Sequence, residues 1–211
     1  IDEVLCEVWF GGDKNAPKTG NALILAEITE MFVDRVLEID KSFAPFTLIG
    51  LEQNFEKSLP ITYSEHEESI IIGGKIDRID QREGVKRLID YKTGKSELNI
   101  SSIEELFLNS SKKKNDAVTQ TLIYCYLLSA EKGFSLSRPV IYALRGNKRE
   151  EWDDRISINK KPLDNFKEVE PQFVSLLKKT VEEIFDPSTP FTLTTDNLRC
   201  SNCPYKKICK K

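Results

Sequence analysis

The chain has 211 residues, 39% of them hydrophobic and 31% charged, which is enough for one domain with a substantial core and excludes a disordered chain. Its net charge of -3 excludes an overall basic nucleic-acid-binding surface, so contact with a polyanion is left to local clusters: Lys112–Lys114, Arg145–Arg149 and the lysine-rich tail from Lys206. No apolar run approaches the ~20 residues that cross a bilayer, and no signal peptide opens the chain, so a cytoplasmic protein with no membrane partner is expected. A start at Ile1, already in helical pattern, suggests a piece of a larger polypeptide.

Ile1 to Phe10 is short and amphipathic, and Gly11 to Gly20 reads as a loop. From Asn21 to about Ile39, Leu25, Ile28, Phe32, Val36 and Ile39 recur at the period of a helix with one buried face, expected to pack on a sheet. Phe46 to Leu59 reads as a strand in which Glu52 and Glu56 share the side of Gly50 and Asn54. Tyr63 to Glu68 is polar and holds the only histidine, His66.

Ile70 to Asp80 and Lys86 to Thr93 alternate apolar and polar residues around a tight turn at Glu83-Gly84, the signature of a β-hairpin. With Arg82 opposite Val85, outward counting sets Asp77 opposite Asp90, both on one face. Lys92 joins them there, and Ile89 and Tyr91 face the other way. Opposed like charges are unfavourable on a sheet, so two such aspartates imply a cation, and a hard divalent ion fits best. Mg²⁺ takes one or two carboxylates and leaves its other positions to water and substrate phosphates, which suits phosphodiester hydrolysis. A solvated polar face carrying an Asp–Lys pair is the competing explanation.

Beyond the hairpin, Glu97 to Lys114 reads as a short helix and a loop, and Asn115 to Lys132 as a helix closed by Gly133. Within that helix Gln120 and Tyr124 stand one turn apart on one face. Arg138 to Leu144 is a strand covered on both faces, Trp152 to Ile158 a further strand, and Leu163 to Phe185 helical, with Pro171 starting or kinking a segment. Helix, three strands, helix and strand make an α/β fold with a mixed sheet. The tail from residue 196 to 211 carries Cys200, Cys203 and Cys209 as C-x₂-C-x₅-C, which in a cytosolic protein argues for metal rather than disulfide. Cys6 is the only cysteine near the N-terminus, and Cys125 reads as a buried small side chain.

Asp77 in G-x-I-D-R-I-D, followed thirteen residues on by I-D-Y-K-T-G-K, resembles the PD-(D/E)XK nucleases, in particular the RecB/AddB-type branch of bacterial helicase–nucleases and CRISPR-adaptation nucleases. The resemblance implies a single domain over residues 1–211 with a restriction-endonuclease-like core. It implies a Mg²⁺- or Mn²⁺-dependent deoxyribonuclease, an exonuclease rather than an endonuclease, partnered with DNA and a helicase domain or subunit in DNA repair. On that reading Asp77 and Asp90 hold the ion with the Tyr91 carbonyl, Glu52 binds a second ion or orients water, and Lys92 positions and helps deprotonate the attacking water. Gln120 and Tyr124 match a Q-x-x-x-Y pair that contacts the scissile strand or steadies the lysine. The cysteine trio would hold a [4Fe–4S] cluster, with Cys6 a candidate fourth ligand and the alternatives a cysteine beyond this piece, a Zn²⁺ site or three idle thiols. In one respect the chain departs from the pattern: related nucleases carry a metal-contacting histidine on a helix upstream of the first strand, and none precedes it here, which leaves either a site without that ligand or a piece without that helix. A non-catalytic DNA-binding module with a degenerate site is the rival reading.

Overall fold

The computed structural model describes residues 2–16, 19–108, 115–131, 133–134, 136–145, 154–194, 200–201 and 203–210. Its frame is a four-stranded sheet in the order β1 (Thr47–Tyr63), β2 (His66–Arg82), β3 (Val85–Lys92), β5 (Ser137–Ala143). Two tight turns set the antiparallel part. Ser64 and Glu65 join β1 to β2 with φ of 44° and 67°, and Glu83 and Gly84 join β2 to β3 with φ of 53° and 81°. Positive φ at both central residues matches the right-handed twist of the flanking strands, so each turn fixes its register. Arg82 pairs with Val85 and Arg78 with Ile89, the register expected from the sequence.

β3 and β5 run parallel, Lys86 beside Ser137 through Lys92 beside Ala143, so the chain between them must cross one face of the sheet. It does so as helix α3 (Asp116–Leu128). Leu88, Ile79 and Ile141 face α3 and α4 (Glu170–Phe185) in the larger core, together with Leu122, Cys125, Phe173 and Leu177. Ile89, Val140, Tyr142 and Leu144 pack on the other side against Phe32, Val36 and Ile39 of α2 (Asn21–Phe43). The near-continuous apolar run of β5 follows from this double cover. Helix α1 (Asp2–Phe10) precedes α2. Among the described residues no helix is long and apolar enough to cross a membrane.

The structure corrects several expectations. Tyr63 to Glu68 is the tip of the β1–β2 hairpin, because Ser64 and Glu65 take up the turn and leave His66 as the first residue of a strand. Residues 97–108 carry a two-residue strand β4 (Asn99–Ile100) and a 3-10 helix (Ile103–Phe107), while residues 109–114 lie outside the described set. Of the strand expected over 152–158, residues 152–153 lie outside it too. The remainder meets the main sheet only at an Arg155–Val140 bridge, then turns away as β6 (Ser157–Ile158), which joins β4 and β7 (Lys161–Pro162) in a separate small sheet. The last helix starts at Glu170 with Pro171 in its first turn, where the missing N–H costs nothing. Ile28, expected on the buried stripe of α2, is exposed along with Leu23, Ile24 and Met31. At 23 residues α2 is about 35 Å long, against about 26 Å for the eight residues of β3, so only its C-terminal half finds sheet to cover.

That half is locked by buried charge. Asp80 has no exposed surface and accepts hydrogen bonds from Arg87 Nε (2.7 Å), Arg87 Nη2 (2.8 Å) and Arg78 Nη2 (2.7 Å). Arg78 Nη1 in turn donates to Asp40 Oδ2 of α2 at 2.6 Å, and Tyr142 Oη donates to Asp40 Oδ1 at 3.2 Å. The guanidiniums of Arg87 and Arg78 stack 4.5 Å and 4.7 Å from the rings of Phe43 and Phe46. Removing one member strands the others as uncompensated buried charge, so Asp80→Ala is expected to lower stability by about 3–5 kcal/mol in urea unfolding. A midpoint equal to the parent's would show that the lock does not hold α2.

Candidate active site

Lys86 N donates to Leu136 O and Lys92 O accepts from Leu144 N, so even-numbered backbone groups of β3 face β5 and odd-numbered ones face β2. Pairing with β2 ends at Arg78–Ile89, two residues short of Tyr91. Beyond that point the strands part. The Tyr91 N–H, left without a backbone partner on that side, donates to Asp77 Oδ2 at 2.9 Å, and by the same alternation the Tyr91 carbonyl faces the gap. β2 is itself irregular here: Ile76 and Ile79, three apart, sit in the same core, although a regular strand would turn them to opposite faces.

Across the gap Asp90 is 1% exposed. The Lys92 ammonium donates to Asp90 Oδ1 at 3.0 Å and lies 2.8 Å from Oδ2, but off that oxygen's hydrogen-bonding directions, so buried Oδ2 has no hydrogen-bond donor. The same ammonium donates to Gln120 Oε1 at 2.8 Å, and Gln120 Nε2 donates to Tyr124 Oη. An unbroken chain of contacts thus runs from Asp90 through Lys92 and Gln120 to Tyr124. Burial pushes the Asp90 carboxyl above the usual range and the charge of Asp77 adds to this, while the Lys92 hydrogen bond opposes it. Burial also raises the Tyr124 phenol, against the Gln120 bond and with the charges of Asp90, Asp77 and Glu52.

Asp77, Gln120 and Tyr124 open on a cleft of about 840 Å³ whose far wall is apolar, with Leu106, Phe107 and Leu177. Its floor is Gly73-Gly74. A Cβ on Gly74 would come within 3.0 Å of the Tyr124 ring, so the missing side chain lets the ring lie against the strand.

A family model describing the PD-(D/E)XK nuclease superfamily matches residues 1–210. The chain belongs to the PD-(D/E)XK nuclease superfamily. No curated protein sequence matches it.

Members of the PD-(D/E)XK superfamily are nucleases that typically use a divalent metal, and the donors present fit one. Buried Asp90 Oδ2 lacks a hydrogen-bond donor, Asp77 lies across the gap, and the Tyr91 carbonyl faces it. Two carboxylates with a carbonyl suffice for an ion that keeps several waters. The other candidates are not gathered with them. Glu52 lies opposite Asp77 in register, between the pairs Leu51–Arg78 and Gln53–Ile76, yet its carboxylate is bonded to Lys75. Among the described residues no group of three or more His, Cys, Asp and Glu gathers to hold a metal. His66 stands at the hairpin tip, its ring centroid 6.0 Å from that of Tyr63. Cys6 is buried in α1, whereas Cys200, Cys203 and Cys209 lie on a half-buried tail, and all are free thiols. Of the basic clusters, Lys112–Lys114 and residues 146–149 lie outside the described set. Sequence reasoning passed over Lys75 and Arg78, which flank Asp77. The signal was there, a cation on each side of the dipeptide Ile76-Asp77 in a segment otherwise rich in isoleucine and glycine.

A carboxyl whose folded pKa is raised binds its proton more tightly in the folded chain. The stability this gives is present below the ordinary carboxylate range and is lost as pH rises through the raised value. Ionised Asp90 therefore costs stability at neutral pH. In ion-free buffer Asp90→Asn is expected to melt above the parent at pH 7, the gap closing as pH falls through the Asp90 titration. A parent that melts at the same temperature or higher at pH 7 contradicts this.

Proposed function

We propose that this chain hydrolyses DNA phosphodiesters at the gap between β2 and β3, with Asp77, Asp90 and the Tyr91 carbonyl holding Mg²⁺ or Mn²⁺. The observation that carries the proposal is the Lys92 ammonium held at once by Asp90 and Gln120 on the rim of the cleft. When bound, the ion supplies positive charge at the phosphate and acidifies water. Of the three N–H groups of Lys92, two are spent on Asp90 and Gln120, leaving one to orient the attacking water. Asp90 thereby serves two ends, as an ion ligand and as the anchor of the lysine. Gln120 fixes the ammonium from the opposite side, and its link to Tyr124 fixes Gln120. Glu52, one strand over, is the residue that would add a third carboxylate.

We further place the chain in the RecB/AddB-type branch, as an exonuclease working with a helicase domain or subunit in DNA repair in the cytoplasm. This rests on the G-x-I-D-R-I-D and I-D-Y-K-T-G-K segments and on the C-x₂-C-x₅-C spacing of Cys200, Cys203 and Cys209. The thiols are not brought to a common point, so no step is derived through a cluster. Iron and sulfide measured in anaerobically purified protein should fall when Cys203 becomes serine, and stoichiometric zinc without iron would remove the cluster from this reading.

The rival reading, a DNA-binding module with a degenerate site, draws on the lack of a histidine between Ile1 and β1, and the intact set of Asp77, Asp90 and Lys92 opposes it. Cleavage separates them. With Mn²⁺ the parent should degrade linear DNA and spare closed circles, and Lys92→Ala should slow cleavage by ~10²–10⁴-fold while calorimetry shows Mn²⁺ still bound. Asp90→Ala should lose the ion as well. Parental cleavage by Lys92→Ala with normal Mn²⁺ and DNA binding would make the lysine a surface charge and refute the mechanism.

A further inference from the structure

Asp77 and Asp116 line the cleft and Asp90 and Glu52 border it, so a DNA strand entering there brings phosphates against carboxylates. Some cation must offset that repulsion. Among the described residues lining the cleft Lys75 is the only one, and the Lys92 ammonium is already committed to Asp90 and Gln120. Lys75, however, is bonded to Glu52, and both side chains are more than half exposed, at 55% and 59%. Exposed pairs of this kind are weak and readily screened, and a phosphate is a competent replacement for a carboxylate on an ammonium. Glu52 is also the residue opposite Asp77, and its φ of 53° lies in the left-handed region that disfavours a side chain. Glu52 thus departs from regular strand conformation at a point where the β1–β2 register continues on both sides, and its carboxylate meets Lys75.

Resting on the nuclease reading above, we infer that Lys75 is the phosphate-contacting residue of the cleft and that the Lys75–Glu52 pair is the resting state of an exchange. A backbone phosphate of the incoming strand takes the ammonium. Glu52 is released beside Asp77, and the carboxylate set gains its third member only when DNA is present. Lys75 acts here as a positioning residue and takes no part in proton transfer.

Binding is measured by fluorescence anisotropy with a labelled single-stranded oligothymidylate in EDTA over a series of NaCl concentrations. Lys75→Ala should bind more weakly and lower the slope of log affinity against log salt by about 0.7–1, the signature of one lost phosphate contact, and Lys75→Arg should restore it. Glu52→Gln should tighten binding in the parent, by freeing the ammonium, and leave the Lys75→Ala background unchanged. Without DNA, calorimetry should show Lys75→Ala binding Mn²⁺ more tightly than the parent, the gain disappearing when Glu52→Gln is added. A salt slope unmoved by Lys75→Ala, a Glu52→Gln effect of equal size in both backgrounds, or an unchanged Mn²⁺ affinity overturns the exchange. If the binding results hold while the parent fails to cut DNA with Mn²⁺, the nuclease reading falls and the phosphate contact stands. Cleavage with an unmoved slope does the reverse.

Discussion

Asp80, wholly buried, grips Arg78 and Arg87 on neighbouring strands, and Arg78 is the last residue of β2 that pairs with β3. One residue further the strands part and the candidate site begins. The position of the gap is thus set by an ion lock. Arg78 also reaches Asp40, so the same guanidinium that ends the β2–β3 ladder seats α2 on the opposite face of the sheet. Two arginines and two aspartates are costly to bury, and an apolar substitute of the same shape could be as stable. What the charges supply instead is direction: a guanidinium with fixed forks permits one strand register and one helix position, whereas isoleucines would tolerate neighbouring ones.

With the gap placed, the chemistry of the site derives from the groups that the parting strands leave unpaired. The Tyr91 N–H takes Asp77 as its partner, which draws that carboxylate into the opening and not straight off the sheet. Asp90 stays on β3, is buried, and keeps one oxygen without a hydrogen-bond donor. A carboxylate in that state is a poor contributor to stability and a good ligand. The two properties have one cause, since the desolvation that penalises the charge is also what makes a bound cation favourable there. Around this unfavourable point the fold is well satisfied: Lys92, Gln120 and Tyr124 each have a partner, and the helix and strands that carry them belong to the larger core.

The hairpin register was legible because it depends on two local facts, a Glu-Gly turn and a period of two, which hold from Arg82–Val85 to Arg78–Ile89. Beyond that point β2 is irregular, and Asp77 meets the gap through the Tyr91 N–H. Gln120 and Tyr124 were legible as a pair for a similar reason, four residues on a helix being one turn in any context. The direction of Glu52 was not. Period-two counting assumes a regular strand, and the left-handed backbone at Glu52 together with the cation at Lys75 breaks that assumption by means no pattern in the neighbouring residues announces. The lock around Asp80 was hidden for another reason, since nothing in the alternation of the two strands marks the charged Arg78, Asp80 and Arg87 as buried. Only the placement of α2 buries them. The stretch after β5 misled through its alternation, which is as good a description of a strand in the small β4–β6–β7 sheet as of one in the main sheet.

The partners of Lys92 are a consequence of topology as much as of sequence. Since β3 and β5 lie side by side and run the same way, the connection between them must pass over the sheet, and a right-handed crossover fixes which face it takes. That face is the one to which Leu88 points, and in the alternation of β3 Asp90 and Lys92 point there also. Any helix making the crossover therefore lies above the lysine, and its residues near Gln120 are the ones that reach it. A glutamine fits that place better than a carboxylate: it accepts from the ammonium while donating to Tyr124, and it adds no third negative charge beside Asp77 and Asp90 before an ion arrives. The neutral amide holds the lysine without competing for the cation, which leaves the charge balance of the site to be decided by metal and substrate.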